Sequence, residues 1–234
     1  MLLKEYNINL NIDIAIDYSA YCSGRVTPTN EKLDDYNKAI TMFCNFLLPN
    51  NNKINEQSFK VYGFGGIPPN SSYISHCFNI NFGKNEDIVG INNVLMAHKN
   101  SLNKIRFGGP RCFHQIFLNI INRIKANLIF KKNDRNYYFL LIFTHGLMID
   151  VEKCQNILKE IIDLPLSIII VGIGRHSDFA LCEPLEGDIE PDYSNKIDFY
   201  EFEACKKNES ILYNNLDIFI YENIKSYYEK NSIS

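Results

Sequence analysis

The chain has 234 residues, of which 46% are hydrophobic and 22% are charged, and its formal net charge is −3. This length suits one well-buried core, and the ordinary composition excludes a largely disordered chain. The small negative charge provides no field that would attract nucleic acid or an anionic membrane, so neither is expected as a direct partner.

The cysteines and the apolar runs indicate a cellular location. Seven cysteines occur without a CxxC pair, so neither a zinc site nor a complete disulfide framework is predicted. The N-terminal stretch MLLKEYNINL does not resemble a signal peptide, and no apolar run approaches the roughly 18 residues of a membrane span. We therefore expect a cytoplasmic protein, peripheral at membranes if it meets them at all.

The predicted elements of the N-terminal half begin with a strand at Leu10–Ile16, in which alternating apolar residues lead to Asp17. A loop at Tyr21–Asn30 precedes a helix at Glu31–Leu48, and the polar stretch Pro49–Lys53 predicts a surface loop. The next elements are a strand at Phe59–Phe64 that enters a glycine- and proline-rich turn, a short edge strand at His76–Phe82 and a helix at Glu86–Leu102.

The C-terminal half begins with a predicted helix at Arg111–Phe130, with Pro110 suited to its first turn. The continuous apolar runs Tyr138–Phe143 and Leu166–Val171 are typical of strands covered on both faces. The other predictions are a helix at Val151–Ile162, a strand at Ile197–Phe202, a helix at Glu209–Tyr228 and a frayed tail at Lys230–Ser234. This order predicts an α/β fold with a doubly wound, mostly parallel sheet, helices on both faces and one short antiparallel edge strand.

Ligands of such sheets bind beyond the carboxyl ends of the strands, which directs attention to Asp17–Tyr21, Thr144–Gly146 and Gly172–Gly174. Ser19, His145 and Asp17 are the residue types of a hydrolytic triad, but no G-x-S-x-G elbow accompanies them. The glycine-rich segments lack the third glycine of a dinucleotide fingerprint and the Lys-Ser/Thr of a phosphate loop. No enzymatic activity is predicted.

Six segments carry a resemblance to a known family: INLNIDIAIDYSA, VYGFGGIPP, SHCFNINF, GPRCFHQIF, FLLIFTHGLMID and LPLSIIIVGIG. In this order they are similar to the copine A domain, a domain of the von Willebrand factor A type. The GFGxxIPP turn followed by an SHxFxINF strand is the most discriminating part. The resemblance covers nearly the whole chain and implies one such domain over residues 1–234.

The resemblance implies a binding module. In copines, two C2 domains dock on phospholipid while the A domain is thought to recruit protein partners, and no C2 domain occurs in this chain. A protein-interaction module is therefore expected. Any membrane contact would be made by a partner or by C2 domains, which this sequence does not contain. Two alternatives are divalent-cation-dependent ligand or phospholipid binding, as in full copines, and the partner-binding part of a copine-domain ubiquitin ligase.

The resemblance also identifies a metal-ion-dependent adhesion site, which A domains build from a D-x-S/T-x-S loop, a Thr and an Asp. Asp17 and Ser19 match the first loop, but Tyr21, Arg111 and His145 stand at the other three ligand positions. We therefore expect a degenerate site with no metal cofactor, in which Arg111 pairs with Asp17 and supplies the positive charge of the metal.

Mg²⁺ or Ca²⁺ at Asp17 and Ser19 is the alternative, and the imidazole of His145 would suit Zn²⁺ or Ni²⁺. Because Tyr and Arg side chains often anchor interfaces, the predicted partner-binding rim consists of Asp17, Ser19, Tyr21, Arg111 and His145.

Overall fold

A computed structural model describes residues 8–19, 30–48, 51–83, 86–130, 135–146, 148–174 and 195–231. The strands are β1 (Asn9–Asp17), β2 (Ser58–Phe64), β3 (Gly66–Ile67), β4 (Phe78–Asn79), β5 (Asp87–Val89), β6 (Arg106–Phe107), β7 (Asn136–Thr144), β8 (Leu166–Gly172) and β9 (Ile197–Glu201). The helices are α1 (Asn30–Leu47), α2 (Asn51–Glu56), α3 (Ile91–Leu102), α4 (His114–Phe130), α5 (Val151–Leu158), α6 (Phe202–Lys207) and α7 (Glu209–Asn231), and a 3₁₀ turn at Lys159–Ile161 follows α5.

The main sheet has the strand order β4-β2-β1-β7-β8-β9, and β5 also pairs with β2. Strands β2, β1, β7, β8 and β9 are parallel, whereas β4 and β5 run antiparallel to β2. The predicted von Willebrand factor A-like fold class is thus confirmed, although the antiparallel edge consists of two short strands.

Helices cover both faces of the sheet. The even-numbered residues Ile12, Ile14 and Ile16 of β1 pack in one hydrophobic cluster with buried residues of α1, α3 and α7. Ala15 faces the other cluster, which contains buried residues of α4 and α5. Because β7 and β8 lie between these layers, all but the first residue of β7 and every residue of β8 are buried.

Strand β1 lies at the centre of the sheet, between β2 and β7. The chain leaves β1 through α1 on one face to form β2, and it enters β7 from α4 on the other face. The carboxyl end of β1 is therefore a topological switch point, where an open α/β sheet offers a crevice. Asp17, the last residue of β1, lies at this point.

Five predicted boundaries differ from those of the structure. The stretch predicted as a loop at Pro49–Lys53 enters helix α2, which buries Ile54 in the core. The helix predicted at Glu86–Leu102 is divided into β5 and α3, because Ile88 pairs with Phe59 of β2 and Gly90 adopts a positive φ of 82° between the two elements.

Helix α4 begins at His114 rather than Arg111, so Pro110 lies outside its first turn. The strand predicted at His76–Phe82 is limited to Phe78–Asn79. The tail predicted to fray at residue 230 is helical through Asn231, where Lys230 pairs with Asp163 at 2.6 Å. No helix in the part of the chain that the structure describes is both long and apolar enough to cross a membrane.

Candidate functional site

The candidate site is a buried cluster around the carboxylate of Asp17. Its Oδ1 accepts a hydrogen bond from the backbone N–H of Ser19 at 2.8 Å. Its Oδ2 accepts from the Thr144 hydroxyl at 2.8 Å and from the backbone N–H of His145 at 3.3 Å. Parallel pairing of β1 with β7 produces these contacts, because the register that joins Ile16 to Phe143 places Asp17 beside Thr144.

Arg111 provides a cation to the same carboxylate oxygen. Its Nε lies 3.1 Å from Asp17 Oδ2, and the Arg111 side chain is only 8% exposed. Because α4 begins three residues later, Arg111 belongs to the non-helical lead-in, where its carbonyl accepts from the backbone N–H of Ile149 at 3.0 Å. Gly146 leaves room for the guanidinium, since a Cβ atom there would lie 2.9 Å from Arg111 Cζ.

His145 connects the cluster to helix α1. Its Nδ1 lies 2.8 Å from the hydroxyl of Tyr36 and 3.4 Å from Asp17 Oδ2. Both side chains are buried, so this polar contact is shielded from solvent. Asp17, α1 and the end of β7 are therefore joined through one imidazole.

The surroundings of Asp17 favour its ionised form. Burial alone would raise the pKa of this carboxyl, but the charges of His145 and Arg111 and the hydrogen bond from the backbone N–H of Ser19 outweigh burial and lower the pKa. Asp17 is thus an anion at neutral pH, and Arg111 lies close enough to balance its charge.

Among the described residues, donors of the protein already surround one carboxylate oxygen of Asp17. Mg²⁺ and Ca²⁺ need several oxygen ligands, whereas Asp17 Oδ2 already accepts from Thr144 and His145 and pairs with the Arg111 cation, which would repel a metal. Across the described ranges, no group of three or more His, Cys, Asp or Glu side chains could hold a metal ion.

The structure brings together four of the five predicted site residues, and Tyr21 lies outside the described residues. Asp17, Ser19, Arg111 and His145 are all buried, with Arg111 the most exposed of them at 7%. That they contact a partner stays a prediction, and their burial favours a role beneath the contact surface. No hydrogen bond joins Ser19 Oγ to His145 in the described part of the site, so the two lack the contact of a nucleophile with its base.

Three residues of the site were not assigned a role from the sequence. Thr144 lies in a segment that strand-end reasoning identified, and a buried Tyr36 hydroxyl can be expected to need a partner. Asp150 accepts from the backbone N–H groups of Phe113 and His114 at 3.1 and 2.9 Å, so it caps the start of α4 from another segment. No sequence signal reveals such a remote cap.

The sheet order and the Asp-x-Ser loop after the central strand define a domain of the von Willebrand factor A type. The family model described as Copine matches residues 27–229. The chain therefore belongs to the copine family.

Two curated relatives and one solved structure illustrate the similarity. Copine-A of Dictyostelium discoideum is 30% identical over 200 residues, which cover 79% of this chain and 32% of that protein. Nicotinic receptor-associated protein 1 of Caenorhabditis elegans is 32% identical over 133 residues, which cover 56% of this chain and 20% of that protein. The chain thus spans about a third or less of the length of these relatives. The manganese-loaded TRAP protein of Plasmodium vivax matches with a TM-score of 0.47 and 10% identity, covering 84% of this chain and 70% of that one.

Proposed function

We propose that this chain is a non-enzymatic protein-interaction module with a degenerate metal-ion-dependent adhesion site, whose binding needs no divalent cation. The observation that carries the proposal is the buried pair of Asp17 and Arg111, with Nε and Oδ2 3.1 Å apart. In this arrangement the guanidinium neutralises the carboxylate and holds the strand-end loops together, as a metal would.

The kind of partner is inferred from the family and from one relative. The name of the Caenorhabditis elegans relative describes it as associated with a nicotinic receptor, which supports a protein as the partner class. The expected location is the cytoplasm. Five cysteines within the described ranges are free thiols, which is compatible with a reducing compartment.

The proposal is tested by thermal unfolding with Mg²⁺, with Mn²⁺ and with EDTA, each against NaCl of equal ionic strength so that screening is matched. A ligand at 100 times its Kd stabilises a fold by about 2.7 kcal/mol, which would raise the Tm of a chain of this size by about 5–10 °C. We expect no shift. A cation-specific rise that EDTA reverses would contradict metal-independent function.

Sedimentation with phosphatidylserine vesicles distinguishes this proposal from the alternative of cation-dependent phospholipid binding. We expect the chain to stay in the supernatant with and without Ca²⁺, because the basic groups of a net-negative chain give no broad attraction to anionic lipid. Calcium-dependent pelleting would favour that alternative instead.

A further inference from the structure

A groove of about 390 Å³ lies between helix α3 and the antiparallel edge of the sheet. On α3 the lining residues share one face, because Asn93, Met96 and Asn100 follow the three- and four-residue spacing of a helix. Phe82 and Val89 line the groove from the side of the sheet. Met96 is 56% exposed and Val89 is 52% exposed. The groove therefore presents apolar side chains and amide groups to solvent.

Lys104 contributes a cation to the same groove. Its Nζ lies 5.8 Å from the centroid of the Phe82 ring. Phe82 adopts a positive φ of 55°, which is rare for an aromatic residue, and its backbone N–H donates to the Asn79 carbonyl at 3.2 Å. Among the described residues, Lys104 has no ion-pair partner. Its ammonium group is thus available to a carboxylate from another molecule.

The backbone that carries Lys104 is joined to the candidate site. The N–H groups of Lys104 and Ile105 both donate to the Ser101 carbonyl at 2.9 Å. The Ser101 hydroxyl lies 2.6 Å from the hydroxyl of Tyr18, and both side chains are buried. Because Tyr18 directly follows Asp17, these hydrogen bonds connect the groove to the loop after β1. A fixed backbone favours binding, since less conformational entropy is lost when a ligand covers it.

Two more cations lie beside Lys104 and the α3 wall of the groove. Only the buried Ile105 separates Arg106 from Lys104, and both basic residues are exposed. Lys99 is a surface neighbour of Met96 on α3 at the i, i+3 spacing. Within the described ranges, neither Arg106 nor Lys99 forms an ion pair. The sequence favours this positive charge, because residues 88–133 contain eight Lys or Arg residues and no Asp or Glu.

The acidic groups near the groove already have partners. Asp87, which lines it, is paired with Lys60 at 2.9 Å, and Lys60 also lies 3.9 Å from Glu86. Glu86 accepts a hydrogen bond from the hydroxyl of Tyr62 at 2.9 Å. Among the described charges around the groove, those without an ion-pair partner are therefore cations, which attract a carboxylate.

We call this site the Lys104 groove and define it by Phe82, Val89, Met96 and Lys104. We propose that it binds a segment of a protein partner in which a carboxylate lies next to aliphatic side chains. The inference rests on the proposed role as a protein-interaction module and names the chemistry of the partner. The carboxylate would pair with Lys104 Nζ, and the aliphatic side chains would cover Met96 and Val89. A nucleic acid or the headgroups of an anionic membrane would use the cations alone and leave these apolar side chains uncovered.

The test uses the full chain as bait for a random linear peptide library displayed on phage, selected in EDTA. A synthetic consensus peptide is then titrated by fluorescence anisotropy against the wild type, Lys104→Glu and Met96→Ser. The matched controls are Lys207→Glu, at an exposed lysine of α6, and Ile211→Ser, at a residue of α7 that is 56% exposed, as Met96 is. Tm values close to that of the wild type verify that all four variants fold.

We expect a consensus that contains Asp or Glu next to aliphatic residues. Its Kd should rise at least about tenfold in Lys104→Glu and in Met96→Ser and stay unchanged in the two controls. A peptide with Lys in place of the acidic residue should bind Lys104→Glu more tightly than it binds the wild type, which identifies the direct charge pair. A consensus without acidic residues, a Kd that does not depend on Lys104, a charge exchange without effect or the absence of enriched peptides would overturn the inference.

Two further measurements distinguish other occupants of the Lys104 groove. Self-association of the wild type that Lys104→Glu abolishes would assign the groove to a second copy of the chain. Pelleting with phosphatidylserine vesicles in EDTA that Lys104→Glu abolishes would assign it to an anionic membrane. Either result overturns the proposal of a separate protein partner. A cation-dependent Tm shift, by contrast, contradicts the proposed function itself and is measured independently of Lys104.

Discussion

Replacing Arg111 with methionine should strongly destabilise the fold, because it leaves a buried carboxylate without its cation. Breaking a buried ion pair by removing one partner typically costs about 3–5 kcal/mol. Asp17 Oδ2 retains the Thr144 hydroxyl and the backbone N–H of His145, so the lower end of this range, about 3 kcal/mol, applies here. For a chain of this length the expected fall in Tm at pH 7.5 is about 6–12 °C.

The pH dependence of this loss has a definite sign. In the wild type the folded-state pKa of Asp17 is lowered below the ordinary value of 3.8, so the carboxylate contributes stability above that pH and loses it as the pH falls through the folded-state pKa. In Arg111→Met, burial of Asp17 is less well opposed, and its pKa should rise. The difference in Tm between the two proteins should therefore narrow as the pH falls from about 7.5 to about 4.5.

Calorimetry at these two pH values measures the effect, with Lys38→Met as a matched control. Lys38 pairs with Asp34 on the surface, with side chains 60% and 59% exposed, so its replacement should leave the Tm unchanged. Adding Asp17→Asn to Arg111→Met should recover part of the loss, because the unpaired charge is then removed. An unchanged Tm in Arg111→Met, or the same loss at both pH values, would refute the reasoning.

Three other predictions concern residues outside the Asp17–Arg111 pair. Gly65→Ala should lower the Tm by several degrees in calorimetry, because φ at this residue is 74° and the new Cβ would lie 2.8 Å from the Cβ of Ser19. The control Gly108→Ala should leave the Tm nearly unchanged, because no atom lies within 4 Å of the position of its Cβ. Equal effects of the two changes would contradict this. Asp150→Ala should cost about 1 kcal/mol in urea unfolding, since it removes the cap from the start of α4, and a variant as stable as the wild type would show that the cap is dispensable. Burial lowers the pKa of Lys196 from 10.5 to about 8, so the cost of burying its charge is complete below about pH 8 and disappears as the pH rises to about 10.5. The Tm of the wild type should therefore rise relative to that of Lys196→Met between these two pH values, and a constant difference would exclude this explanation.

The strands of the sheet were predictable because their residues are buried on both faces. The apolar runs that predicted β7 and β8 correspond to strands buried almost throughout, so the composition alone marks them. Strand β5 was not predictable, since three residues next to a helical pattern become a strand only through pairing with β2. The start of α4 depends in a similar way on Asp150, which is distant in sequence.

The central residues of the site were predictable from the sequence, but their burial was not. Strand-end reasoning identified Asp17 and His145, and the expected pair of Arg111 with Asp17 is present at 3.1 Å. The burial of these residues and the contact of Tyr36 with His145 depend on how α1 packs over the sheet. A sequence pattern does not contain that information, because it specifies which residues are apolar but not which loops cover them.

The proposed loss of metal binding and the presence of Arg111 depend on each other. A carboxylate as deeply buried as that of Asp17 would be costly without a cation, and Arg111 beside a bound divalent ion would repel it. The two changes are therefore expected to occur together, because Arg111 then supplies a cation to the buried carboxylate. Because the ion pair is buried, it can fix the loops but presents no exposed charge of its own to a ligand.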